Sequence, residues 1–450
     1  MKERNVVLEE TIFKLADAKK YASLRDFLAT LNGADIAGAF GELSDMNLPL
    51  VFRLLPKELA AEVFVEMEPE QQETLIKSFS DTELKAVVEE LYVDDAVDLI
   101  EEMPANVVSR ILTQADPETR KTINEILQYP EDCAGSAMTT EFVELQPQMT
   151  AAQAIKLIRK VGIDKETINT CYITDRGHHL LGVVSIRSLI LADDDTLCES
   201  LMSGNVVSVG TLEDQETVAQ MFSKYAFNAL PVVDKDSRLV GIVTMDDAID
   251  IIEEEATEDM EKMAAIMPSD RPYLSTGVFA IFKNRIPWLL GLMVIAMFTG
   301  LVMRGFENTL LTWSVLLAYI PMILDTGGNS GSQTSVTIIR SLNLLELETS
   351  DLLKVLWKEF RVSLLCAVSL AVINFAKLML LDQVGLAVAL VVSAALVAGV
   401  VLAKLLGVLL PMSAKRFGFD PALVSSPIIT SVVDVVSLLV YLLLASAVLG

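Results

Sequence analysis

From Pro287 to its end the chain is written in apolar runs, and this feature limits what the whole can fold into. A bilayer core asks for roughly 20 apolar residues per helix. Five stretches after Arg271 approach that length: Pro287 to Met303; Leu310 through Leu324, resuming at Val336; Val362 to Leu381; Val384 to Pro411; and Pro421 to Leu449. A hydrophobic fraction of 52% is too high for an ordinary soluble chain. The expected class is a multidomain integral membrane protein with a transmembrane domain of five helices over 283–450. Lys283 and Arg285, the group Arg340, Lys354, Lys358 and Arg361, and the pair Lys415 and Arg416 fall on one side of five spans. The excess of Lys and Arg on cytoplasmic loops then predicts a cytoplasmic N-terminus and an external C-terminus. The opening MKERNVVLEETIFKLADAKK has neither a signal-peptide apolar core nor a transit-peptide character, which agrees.

Charge locates the other half. Residues 1–272 hold 24 Lys/Arg and 52 Asp/Glu, a net of −28, against +2 for the remainder. A surface this acidic excludes nucleic acid as a partner, because binding a polyanion needs basic side chains to displace its counterions. Cations fit instead. The cysteines 133, 171, 198 and 366 are scattered and the only histidines are the adjacent His178 and His179, so no zinc site is expected.

Two membrane features do not suit a passive anchor. Asp434 lies inside the fifth run, where a carboxylate costs about 2.5–3.5 kcal/mol on the permissive insertion scale. It either lines a pathway or pairs with a neighbouring helix. The second feature is the polar run Asp325 to Ser335, with glycines at 327, 328 and 331. It reads either as irregular backbone facing a cavity or as a surface loop. Together a central carboxylate and nearby oxygens are hard ligation, suited to Mg²⁺, which keeps several of its waters. An anion path would want Lys or Arg; Lys377 and Lys404 lie toward span ends, where snorkelling accounts for them.

Residues 137–260 contain a repeat. AMTTEFVELQPQMTAAQAIKLIRK aligns with LMSGNVVSVGTLEDQETVAQMFSK, and LGVVSIRSLI with VGIVTMDDAI. Each copy reads as a strand, an amphipathic helix, two apolar strands split by a polar turn, and a second helix, over 137–200 and 201–252. This α/β pattern resembles a CBS pair, a module that usually binds adenine nucleotides such as ATP. Of the ribose-binding Ser/Thr-x-x-Asp signature, Thr244 and Asp247 keep both residues while Ser185 and Ser188 do not. The second cleft is the one expected to take a nucleotide, unless Thr244 and Asp247 simply start a helix. Over residues 1–133, helix-start signals at Pro56, Pro69, Asp81, Asp94, Pro104 and Pro117 recur every 10 to 13 residues and predict an N-terminal α-helical solenoid-like domain. A long acidic helix is expected over 248–263, with Asp250, Glu254, Glu258 and Glu261 along one face, making 253–272 the acidic connecting helix. That face is either solvated or a divalent-cation coupling element.

The order of these parts, with PMILDTGGNSGSQ and FDPALVSSPIITSVVD, closely resembles the MgtE family of magnesium channels and transporters. The resemblance implies a Mg²⁺-selective, Mg²⁺-gated uptake protein of the bacterial cytoplasmic (inner) membrane, a homodimer with Mg²⁺ as both substrate and regulator, and no enzyme activity. It places the pore ligand at Asp434, with Gly328, Thr430 and Asn329 beside it. It assigns regulatory Mg²⁺ to Glu62, Asp94, Asp98, Asp214, Glu216, Asp247, Asp250, Glu255, Glu258, Asp259 and Asp420. Ala226 departs from an acid, and Ser332 and Ser426 from Asn. Asp325 and Lys404 are unusual for their places, and one arrangement would pair them with each other. Competing readings are a transporter of Co²⁺, Ni²⁺ or Ca²⁺, a CBS-regulated anion channel, and a non-transporting sensor.

Overall fold

The computed structural model describes residues 2–41, 48–269, 273, 276–424 and 426–450, leaving aside the side chains of 2–7 and 9. It divides into two compact units, 1–252 and 253–450.

The first unit opens with short helices: α1 Lys2–Asp17, α2 Tyr21–Leu28, α3 Gly33–Phe40, α4 Leu48–Phe52, α5 Lys57–Val65, α6 Pro69–Ser78, α7 Asp81–Val88, α8 Val93–Glu102, α9 Ala105–Gln114 and α10 Pro117–Ile126. The start signals work through local chemistry. Ser80 and Glu83 form a reciprocal capping box at α7, and the Asp116 carboxylate accepts from the N–H groups of Glu118 and Thr119 at α10. Helices of two to three turns cannot bury their own apolar faces, so they share a core in which Phe52, Phe64 and Phe79 meet ring to ring. Arg110 ties α9 to the preceding pair by donating to the carbonyls of Ile76 (2.5 Å) and Phe79 (2.6 Å).

Both repeat copies fold as the sequence predicts. The first has β1 Val143–Leu145, α11 Ala151–Val161, β2 Thr170–Thr174, β3 Leu180–Ser185 and α12 Ile186–Leu191; α13 Cys198–Leu201 follows. The second has β4 Val209–Gly210, α14 Gln215–Tyr225, β5 Ala229–Val233, β6 Leu239–Thr244 and α15 Met245–Met263. In each, the first strand pairs parallel with the second, in registers Val143↔Cys171 and Val209↔Val232, and the second pairs antiparallel with the third. The turns are built alike: Asp175 accepts from the N–H groups of Gly177 and His179, and Asp234 from those of Asp236 and Arg238. The helical core continues into the second copy through Val218, Phe222, Leu230, Val243 and Ile251, while the first copy keeps its own cluster. The expected connecting helix begins inside the second copy, as α15, and stops at Met263; Ala265 adopts a left-handed backbone (φ 57°) and Pro268 follows. The four cysteines are free thiols.

The second unit holds α16 Val278–Gly305, α17 Glu307–Thr312, α18 Ile320–Asn343, α19 Leu352–Leu380, α20 Leu386–Arg416 and α21 Ser426–Leu449. Four of these, α16, α19, α20 and α21, are long and apolar enough to cross a membrane. The second expected run is corrected in two respects. Its helix begins at Ile320 rather than near Leu310, and it passes without interruption through Asp325–Ser335, so the polar run is neither irregular backbone nor a loop. The reason is packing. A β-carbon at Gly328 would lie 2.7 Å from Thr430 Cγ2, and one at Gly407 would lie 2.6 Å from the Gly331 carbonyl oxygen. The glycines let α20 and α21 press against α18, as small residues do between membrane helices. Lys404 is also corrected: it does not snorkel but is buried (6% exposed), in α20.

Candidate metal sites

The membrane site is built from α18 and α21. Gly327 faces Ser437, Gly328 faces Thr430 and Gly331 faces Ile429, so the two helices run antiparallel. Thr430 Oγ1 lies 3.1 Å from Ser332 Oγ, a hydroxyl pair that sequence reasoning had noted only as a departure. One turn on, Asp434 is half-buried, and its Oδ1 is buried without a hydrogen-bond partner. Gly328 and Thr430 thus touch, with Asp434 on the same helical contact. Asn329 sits on the adjacent exposed face of α18, lining a cavity of about 550 Å³ with Asp325, Thr326, Ser330, Gln333 and Lys404. The expected pairing of Asp325 with Lys404 does not form. The Lys404 ammonium donates to Thr334 Oγ1 at 3.3 Å and lies 3.9 Å from Glu359 Oε2, because α20 turns it toward α18 and α19 instead.

The second site gathers acids in the first unit. The sequence VDDAVDLIEE puts Asp94, Asp95 and Asp98 within one turn of α8, and Asp94 is buried (6% exposed). Burial, then the charge of Asp247, raises Asp94 well above the usual carboxylate range; the same two causes push Asp95 up to about 7 and Asp98 up to about 8. Glu166 rises to about 8 through burial and then Asp246, and burial raises Asp247 as well. Glu166 Oε2 is buried without a hydrogen-bond partner. No ion pair among the described residues neutralises this group. Asp95, Glu166 and Asp246 were missed by sequence reasoning because they come from three separated segments, and only the fold brings them together. The Thr244 hydroxyl donates to Asp247 Oδ2 (2.6 Å) and Asp246 Oδ1 (2.5 Å), closing the turn that starts α15. Ser185 accepts from Ser188 N–H at the equivalent turn.

The remaining expected regulatory acids are spread out. Glu62 is exposed on α5 and Asp250 on α15. Asp214 caps α14 by accepting from Glu216 N–H, and Glu216 accepts from Gln220. Glu255 is half-buried. Within the second unit a lysine occupies the place of a cation: the Lys262 ammonium lies 2.8 Å from both Glu258 and Asp420. Its burial would lower its pKa, but these two partners outweigh that and hold it raised. Asp259, raised by burial, accepts from Asn343 Nδ2 at 2.6 Å. Among the described residues no three His, Cys, Asp or Glu side chains converge as a ready-made metal-binding group. Such sites suit an ion that keeps its waters.

Comparison with known proteins bears on this arrangement. Residues 320–444 match the MgtE divalent cation transporter family, residues 31–132 the MgtE intracellular N domain, and 134–195 and 198–254 the CBS domain. The magnesium transporter MgtE of Thermus thermophilus is 36% identical over 433 residues, 94% of each chain. The chain belongs to the MgtE family. The Bacillus subtilis magnesium transporter MgtE is 29% identical over 99% of this chain and 98% of its own. A solved cytosolic domain of the Mg²⁺ channel MgtE, in complex with ATP, superposes with TM-score 0.52 and 36% identity, covering 54% of this chain and 99% of that one. As an MgtE protein, the chain is a transporter with CBS domains and membrane-crossing character, not an enzyme.

Proposed function

We propose that this MgtE protein carries Mg²⁺ inward across the bacterial cytoplasmic membrane and closes when cytoplasmic Mg²⁺ is high. The observation that carries the first half is Asp434: an intramembrane carboxylate with an unmatched oxygen, on the contact where glycines bring α18 against α21. A carboxylate there is expensive unless it serves an ion or finds a partner. Gly328, Thr430 and Asn329 supply neighbouring backbone and side-chain oxygens, and Mg²⁺ meets them largely through retained water. Helix α18 acts as the fifth span, with the N-terminus cytoplasmic, the C-terminus external, and the path formed where two copies meet.

The second half rests on the acids. Crowded carboxylates with raised pKa values repel one another when ionised, and a divalent cation relieves that repulsion. Mg²⁺ binding by Asp94, Asp98, Asp247 and Asp250, with Glu62, Asp214 and Glu216, and by Glu255, Glu258, Asp259 and Asp420 near the membrane, then favours the closed state through its differential affinity. An adenine nucleotide such as ATP occupies the Thr244/Asp247 cleft. Mg²⁺ influx into liposomes bearing the full chain tests the transport reading. Wild-type protein should conduct, while Asp434→Ala and Asp434→Asn should lose at least about 100-fold in influx with assembly intact, since the sole mid-membrane anionic ligand of α21 is gone. Influx by Asp434→Ala at the wild-type rate would reject the site.

A further inference from the structure

Asp325 is a charged side chain that the packing of its helix does not explain. It lies inside α18 rather than at a cap, it is exposed, and no hydrogen bond or ion pair among the described residues involves it. The nearest basic candidate, Lys404, is turned toward Thr334 and Glu359. A carboxylate in this position persists only where water or an ion reaches it. The surroundings offer that. Asp325 lines a cavity of about 550 Å³ together with Asn329, Ser330, Gln333 and Lys404, alongside apolar side chains of α19.

Register decides which ion path this is. Because Gly327, Gly328 and Gly331 meet Ser437, Thr430 and Ile429 in reverse order, Asp325 falls alongside the turn of α21 that carries Asp434. The two carboxylates are close enough for their charges to act on each other. We infer that Asp325 is a second cation-binding carboxylate of the conduction path, acting with Asp434 on one hydrated divalent ion. This inference rests on the Mg²⁺-transport reading above. Its chemical content is selectivity by charge: an added negative charge attracts a divalent ion twice as strongly as a monovalent one at the same distance. The added carboxylate therefore raises affinity for Mg²⁺ over Na⁺ or K⁺ rather than the limiting rate.

The test is Mg²⁺ influx into liposomes, measured against external Mg²⁺ at fixed Na⁺, for wild type, Asp325→Asn and Asp325→Glu, with the thermal midpoint of each full-length protein. Asp325→Asn should raise half-saturating Mg²⁺ by about tenfold while maximal influx changes by less than about twofold, as expected for a lost electrostatic contribution to binding. Asp325→Glu should restore half-saturation to near the wild-type value. The inference is overturned if the Asn variant half-saturates where wild type does, or if Asn and Glu variants fail alike, which marks a packing role. Wild-type protein that carries no Mg²⁺ removes the transport reading and the inference with it; wild-type influx beside an unmoved Asn variant removes the inference alone.

Discussion

Asp434 stands among apolar residues of α21 with one carboxylate oxygen unmatched, whereas Asp94, Asp95, Asp98, Asp247 and Glu166 crowd one another between α8 and the start of α15. Within helices α16 to α21 acids are scarce, and α21, which carries Asp434, meets α18 at glycines. In the first unit acids are abundant and raise one another's pKa values, which the proposed regulation would use. One site depends on geometry and the other on charge density, so they should respond to different perturbations.

The largest effect is expected where geometry is attacked. Gly407→Val would push a β-carbon to 2.6 Å from the Gly331 carbonyl, a backbone atom that cannot turn aside. Overpacking of this kind costs about 1–3 kcal/mol or more. The variant should melt well below wild type in detergent and lose Mg²⁺ influx. Gly291→Ala on α16, where nothing lies within 4 Å, should leave both unchanged. Equal behaviour of the two variants would show that the glycines do not set the α18–α20 approach.

Attacking charge should spare assembly and shift regulation. Neutralising Asp94, Asp247, Asp250 and Glu258 together removes the proposed regulatory ligands while the first unit remains strongly acidic. The internal Mg²⁺ that half-closes the channel should rise by roughly tenfold, in patch recordings across an internal Mg²⁺ series. A shift to lower Mg²⁺ would mean instead that relieved repulsion lets the acids pack without metal.

The legibility of the chain divides along similar lines. Helix starts at Pro56, Pro69, Pro104 and Pro117 and the paired turns at Asp175 and Asp234 were readable because proline's fixed φ and an Asx turn act within two or three residues. The glycines of α18 were misread because a helical glycine has meaning only against its neighbour, here residues about 70 to 110 positions away. Long separation along the chain also hid the turn of Lys404 to Glu359 and the assembly of Asp95, Glu166 and Asp246 beside Asp247. Periodicity along a segment reports which face is buried, not which face of another segment it meets.

The smallest effect concerns protons. Asp95, Asp98 and Glu166 have pKa values raised in the folded state to about 7, 8 and 8, above those of an unfolded chain. The folded protein therefore binds more protons than the unfolded one between about pH 4 and 8, and stability falls as pH rises through that window. Metal-free full-length protein should melt a few degrees higher at pH 6 than at pH 8, and Mg²⁺ should narrow the difference by occupying the ionised acids. A melting point that rises with pH without metal would contradict the crowded-acid description.

Close packing on one side of α18 also has a consequence for how this protein can vary. A β-carbon at Gly327, Gly328 or Gly331 would crowd Ser437, Thr430 or Ile429 on α21, so substitution there requires those neighbours to shift. Asp325, Asn329 and Gln333 border open space, where a new side chain displaces nothing. If the proposed ion role holds, this exposed stripe is where the chemistry of α18 can change without disturbing its packed face.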